Sequence, residues 1–179
     1  MVSQPPFTDV ATLRARARQH VEQGAVTQGY RADRATVLRM LNEALATEMV
    51  CMLRYRRHYF MASGIHAQSV AAEFLEHATE ELAHADRIAA RIVQLGGEPD
   101  FNPETLMRRS HAEYVPGKAL LEMIHEDLVA ERVAIDSYGE MVRYLGDDDP
   151  TTRQMLVDIL AVEEQHAEEL VTLLQRLAP

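Results

Sequence analysis

The chain has 179 residues, 47% of them hydrophobic, which suits one domain with a sizeable core. A formal net charge of -10 argues against nucleic acid or an anionic membrane surface as the default partner. Cys51 is the single cysteine, so an internal disulfide, a zinc ribbon and a rubredoxin-type cysteine set are all excluded. No charged n-region with an apolar h-region opens the chain, and no apolar run approaches membrane length. A soluble cytoplasmic protein is therefore expected.

Residues 1–7 read as a frayed tail. Thr8 or Asp9 is placed to cap a short helix through Val21 that ends near Gly24. In this stretch Arg14, Arg16, Arg18, Arg31 and Arg34 outnumber Asp9, Glu22 and Asp33. A basic arm touching DNA is one reading. A packing or oligomer-contact helix is the better supported one, because three clustered arginines are a weak signal. Residues 1–33 are thus set apart from a helical domain over residues 34–179.

Asp33 can cap a first long helix over about residues 34–62, ended by Ser63 and Gly64. A second runs over about 68–95 to Gly96 and Gly97, and the linker between them is too short for anything but an antiparallel turn. Residues 98–116 contain Pro99, Pro103 and Pro116 and read as a long connection. A loop of about 19 residues reaches roughly 60 Å, whereas a helix of about 28 residues is roughly 42 Å long. The connection can run back along the bundle, which lets the second and third helices lie parallel. Gly146 to Pro150 then makes a tight turn, and Pro150 opens a fourth helix running to about Ala178.

Each long helix has an apolar seam interrupted by a glutamate. The rows are Leu41, Leu45, Glu48, Met52, Tyr55 and Tyr59, then Phe74, Ala78, Glu81, Ala85, Ile88 and Ile92. The third is Ile124, Leu128, Glu131, Ile135, Tyr138 and Val142, and the fourth is Leu156, Leu160, Glu163, Ala167, Leu170 and Leu174. Steps of four and three mark the inward row of a bundle helix. A carboxylate there is costly unless it is paired or bound to metal. His84 and His166 follow Glu81 and Glu163 by three residues, on the same helical face. The chain is also a repeat: a lone Glu with a Tyr two turns on (Glu48 and Tyr55, Glu131 and Tyr138), then Glu-x-x-His.

Four carboxylates in one layer call for neutralisation by two divalent cations, with His84 and His166 as nitrogen donors. That donor set suits Fe or Mn, since a structural zinc site would be richer in sulfur and nitrogen. A Glu from each of two helices and Glu-x-x-His from each of two others is the dinuclear pattern of ferritin-like bundles. On these residues the sequence resembles the bacterioferritin branch of the ferritin-like superfamily, over about residues 34–177.

The resemblance implies an all-α, ferritin-like four-helix bundle with a long crossover between its second and third helices and a short extra N-terminal helix. It implies that Glu81 and Glu163 bridge two iron ions, that Glu48 and His84 complete one, and that Glu131 and His166 complete the other. Tyr55 would stand beside this centre. The implied activity is a ferroxidase that oxidises Fe(II) with dioxygen or hydrogen peroxide and stores or detoxifies the iron in a homo-oligomeric shell. Leu82 occupies the position of the family's haem-ligating Met, so haem is not expected. Few residues follow His166, so the fifth helix of 24-subunit ferritins is not expected either. Together with the N-terminal helix, this looks more like the Dps-like miniferritins, which close as twelve subunits.

Further candidates are weaker. His77 could support the centre from outside, and Cys51 reads as a buried inert thiol. Glu73, Glu76 and Glu80 suit either a mineral-nucleating or a solvated face, and Asp147 to Asp149 suit either a cation pore or, at Asp149, a helix cap. Competing functions are a manganese catalase-like or other peroxide-consuming dinuclear enzyme, a DNA-protecting miniferritin, and a metal-free interaction module.

Overall fold

Caps and glycines set the ends of the helices in the computed structural model, which describes residues 7–65 and 67–177. Asp33 accepts the Thr36 amide at 3.2 Å and starts the first long helix, α2 (Arg34–Met61). It follows a short α1 (Val10–Ala17) and is itself followed by α3 (Ala67–Gln94) and α4 (Pro103–Arg109). The last two are α5 (Leu120–Leu145) and α6 (Pro150–Leu177). The first, second and fourth long helices lie within a few residues of the expected spans, and the third covers the apolar row from Ile124 to Val142. The expected tail over residues 1–6, His66 of the turn and the helix end at Ala178 lie outside the described residues.

Hydrogen bonds across the bundle fix its topology. Tyr55 reaches Glu131 and Tyr138 reaches Glu48, so α2 and α5 run antiparallel. The turn after α2 makes α3 antiparallel to it as well, which leaves α3 and α5 parallel, as the long crossover requires. This is the all-α, one-crossover four-helix arrangement.

The crossover differs from expectation in containing a helix. Asn102 accepts the Glu104 amide at 3.0 Å, and Pro103 opens α4. Proline there costs no hydrogen bond, because the first helical N–H has no partner in any case. Leu106 of α4 is buried against Ala46 and Val50 of α2. Polar straps tie the rest of the crossover to α2. Arg109 donates to the Asn42 carbonyl at 2.9 Å, and the Asn42 side chain accepts the Asp100 amide at 2.7 Å. The His111 amide donates to Thr47 Oγ1 at 3.0 Å.

The N-terminal helix is also shorter than expected. Asp9, not Thr8, caps it by accepting the Thr12 amide at 2.9 Å. It stops at Ala17 rather than Val21, His20 adopts a left-handed φ of 54°, and a separate 3₁₀ turn covers Val21–Gln23. Two helical turns need tertiary packing to persist further, and α1 buries none of its residues. Of the two roles expected for this helix, packing and contact between copies, the latter is the one a helix with no buried residue leaves open. After α1, Val26, Tyr30 and Ala32 pack against the core of the bundle.

That core comes in two apolar clusters. The larger includes Leu41, Leu45, Ile88, Ile92, Leu145 and Leu156. The smaller includes Tyr55, Val70, Phe74, Ile124 and Leu170. At one end of the larger cluster Asp149 is only 2% exposed. It accepts the Thr152 amide and an Arg91 N–H, each at 2.9 Å. This carboxylate is the cap of α6. Among the described residues no helix is long and apolar enough to cross a membrane.

Candidate metal centre

The seam glutamates meet where the two apolar clusters part. Glu48, Glu81, Glu131, Glu163 and His166 are each at most 1% exposed, and His84 is 4% exposed. Their donor atoms fall into two sets, each spanning no more than 4.8 Å: Glu48, Glu81, His84 and Glu163, and then Glu81, Glu131, Glu163 and His166. Glu81 and Glu163 belong to both. Helix geometry explains the grouping, because each Glu-x-x-His turn of α3 and α6 aims both side chains inward, while α2 and α5 each add one carboxylate.

These groups lie close together with few hydrogen bonds among them; His84 Nδ1 meets Glu48 Oε2 at 3.3 Å. His84 Nδ1 is 3.0 Å from Glu163 Oε1, and His166 Nδ1 is 3.4 Å from Glu163 Oε2 and 3.6 Å from Glu81 Oε1. Yet Glu81 Oε1, Glu131 Oε2, both Glu163 oxygens and His166 Nδ1 are buried without a hydrogen-bond partner. His77 Nδ1 is the remaining such atom among the described residues. Buried polar atoms without partners cost about 1–3 kcal/mol each. Their convergence on common points fits ligands aimed at divalent cations, and the oxygen-rich set with two imidazoles fits iron or manganese.

Electrostatics agree. Burial, and then the neighbouring carboxylates, push Glu81 and Glu131 well above the ordinary carboxylate range. Burial works the same way on Glu163, but the His166 and His84 imidazoles outweigh it and hold that carboxyl at about 2. Burial disfavours a charged His84, yet the Glu163 and Glu48 carboxylates push it up to about 9. Cations entering this layer would displace protons from it.

Both tyrosines of the repeat are used, and they cross over. Tyr55 on α2 donates to Glu131 of α5, and Tyr138 on α5 donates to Glu48 of α2. Burial, with the carboxylate beside each, pushes both phenols well above their ordinary pKa, so they stay protonated donors. Tyr138 was not among the site residues expected, although its place in the repeat was the signal for it.

Other residues reach the layer from one side. Asp127, 0% exposed, takes Arg54 Nε and His58 Nδ1 at 2.7 Å each. Arg54 and His58 also bond the Glu113 and Pro116 carbonyls, both at 2.9 Å. None of this network was expected; Asp127 lies one turn before Glu131 and faces the same way. Glu80, half exposed, bonds His166 Nε2 at 2.7 Å. His77 is buried, stacks on His166 at 4.0 Å and bonds Glu169 at 3.0 Å. Burial, with His166 beside it, lowers the His77 pKa. Glu76 is exposed. Cys51 is buried 3.9 Å from Arg54, and burial pushes its thiol pKa well up, as an inert thiol requires. Leu82 is 43% exposed and offers no donor atom for haem iron.

Comparison with known proteins identifies the family. A model of the ferritin-like domain family matches residues 38–178. The bacterioferritin of Rhodobacter capsulatus is 28% identical over 149 residues, covering 81% of this chain and 88% of that protein. The bacterioferritin of Brucella melitensis is 31% identical over 144 residues, covering 79% of this chain and 84% of that one. Among solved structures, a dodecameric thioferritin, the bacterioferritin-related protein of Bacteroides fragilis, superposes with a TM-score of 0.80 at 30% identity. It spans 83% of this chain and 89% of its own. The Dps of Thermosynechococcus elongatus shares the fold, with a TM-score of 0.75 at 20% identity, over 78% and 90% of the two chains. The chain belongs to the ferritin-like family, with bacterioferritins among its relatives.

Proposed function

We propose that the chain is a ferroxidase and that the layer of Glu48, Glu81, His84, Glu131, Glu163 and His166 is its dinuclear iron centre. The observation that carries this reading is the set of buried, unpartnered donor atoms converging in two groups that share Glu81 and Glu163. Those two carboxylates would bridge a pair of iron ions. Glu48 and His84 would complete one position, Glu131 and His166 the other. Each Fe(II) gives up one electron; hydrogen peroxide takes two electrons and two protons to become two waters, and dioxygen serves as the alternative acceptor. The chain's own part is to hold the pair in a dry layer, to release the protons on Glu81 and Glu131 as metal binds, and to fix the terminal carboxylates through Tyr55 and Tyr138. Manganese fits the same donors.

Storage requires a closed shell, because a lone bundle has nowhere to keep a mineral. The Bacteroides fragilis relative is dodecameric, and α1, free of its own bundle, is available for contacts between copies. Twelve chains are therefore proposed, and with Leu82 at the surface haem has no part in the reading. Glu81→Ala and His166→Ala should each abolish rapid Fe(II) oxidation while the far-ultraviolet dichroism stays helical, and light scattering should report a particle of twelve chains. Oxidation at the parent rate in either variant would overturn the centre, and a stable monomer would overturn storage.

A further inference from the structure

His77 faces two ways. Its side chain is 1% exposed. Its Nδ1 is buried without a partner, and His77, Glu131 and His166 form a donor set spanning no more than 4.8 Å. Its Nε2 is 3.0 Å from Glu169 Oε2 and 3.9 Å from Glu73 Oε1. Those two carboxylates are about one-third exposed, at 35% and 31%. Glu73 and Glu169, with Gln165, Glu168 and Arg176, border a surface depression of about 340 Å³. The ring stacks on His166 at 4.0 Å and 19° and meets the Tyr55 ring edge-on at 5.2 Å. It therefore lies between Glu169, which borders the depression, and His166 of the buried layer.

We propose that Glu73, His77 and Glu169 form a third divalent-cation site, from which metal ions are handed through His77 to the dinuclear centre. One imidazole and two carboxylates leave positions for water and suit a first-row transition cation held weakly enough to move on. A neutral imidazole has one lone pair and one N–H. With the lone pair on Nε2, the ring ligates the outer ion and its Nδ1–H points at the acceptor oxygens of the layer. With the proton on Nε2, held by Glu169, the lone pair on Nδ1 faces inward. One tautomer serves each site, so the ring binds on one side at a time.

The opposite half of the repeat has no such station. It places Met155 where Glu73 stands, Ile159 where His77 stands and Arg87 where Glu169 stands. The donors of the station are thus missing there: two apolar side chains and an arginine, paired with Asp158 at 3.1 Å, take their places. Of the two halves, only that of Glu131 and His166 carries the station.

The hand-over rests on the dinuclear reading, whereas the outer site stands on its own donors. The test is anaerobic Co(II) binding to the assembled full chain, by equilibrium dialysis with absorption spectra. The parent should bind a third, weaker Co(II) per chain. The E73Q/E169Q variant should lose it, keep the two tight ions with their spectrum unchanged, and load Fe(II) about tenfold more slowly. Equal Co(II) binding by parent and E73Q/E169Q would overturn the site, and an unchanged loading rate would overturn the hand-over. The E48Q/H84A variant should lose tight ions while keeping the weak one. A parent that binds only the weak ion would sink the dinuclear reading and leave the outer site standing.

Discussion

Around Glu131 and His166 the bundle keeps a polar setting of Arg54, His58, Asp127, His77 and Glu80, whereas around Glu48 and His84 the repeat substitutes Ser137, Met141, Ala44, Ile159 and Val162. The donors themselves are alike in the two halves, each having one lone carboxylate, one Glu-x-x-His pair and one tyrosine. The repeat thus keeps the proposed cation ligands and varies the rest. On one side the surroundings are a buried ion network beside His77, which bonds the partly exposed Glu169, and on the other Ala44, Met141, Ile159 and Val162 are apolar.

The largest effect that should separate the halves is on stability. Asp127→Ala leaves Arg54 and His58 buried without their carboxylate, and should cost about 3–5 kcal/mol in denaturant unfolding. Replacing all three by their counterparts (Arg54→Ser, His58→Met and Asp127→Ala together) should cost less than Asp127→Ala alone, because no buried charge is then left unpaired. A triple variant less stable than the single one would mean that the network does more than balance its own charge.

The next test concerns protons. Glu81 and Glu131 have folded-state pKa values raised above the unfolded value of 4.5. Their contribution to stability is fully present below that value and is lost as pH rises through the raised ones. His84, raised from 6.5 to about 9, loses its contribution over that interval. Glu163, lowered to about 2, acts oppositely, but only below 4.5. The metal-free protein should therefore weaken from about pH 5 upward. Saturating Co(II) at about 100 times its Kd should add about 2.7 kcal/mol, and its effect on Tm should be larger at alkaline pH, where protons compete less. A Tm gain that shrinks with rising pH would contradict the proton release.

The smallest expected difference is between the tyrosines. Tyr55→Phe and Tyr138→Phe each remove one hydrogen bond to a terminal carboxylate, worth about 1.5–3 kcal/mol for a charged acceptor. Glu131 keeps Arg54 nearby as a lowering influence, so Tyr138→Phe should weaken Co(II) binding more than Tyr55→Phe. Equal losses would show that the polar network leaves the ligands unaffected.

Much of this was legible in the sequence. A glutamate on an apolar seam cannot be explained by packing, so Glu48, Glu81, Glu131 and Glu163 announce themselves, and the i, i+3 spacing adds His84 and His166. The long helices followed from periodicity and from glycine and proline punctuation. What stayed hidden depends on tertiary contact. Arg54, His58 and Asp127 each look like ordinary helical surface until the crossover covers them and supplies the Glu113 and Pro116 carbonyls. The helix at Pro103 was masked by prolines that read as breakers. The end of α1 at Ala17 depends on what it fails to touch, which no local pattern reports.

The division of the core into two apolar clusters bears on how the molecule comes apart. Four long helices run through both clusters, but the layer between them contributes little attraction of its own while its carboxylates crowd one another. Without cations, the two ends of the bundle can open and close as separate cooperative units, each with its own opening free energy. Cations shared by all four helices at mid-length join these units into one, so that amide protons far from the ligands, at either end, would exchange only when the whole bundle opens.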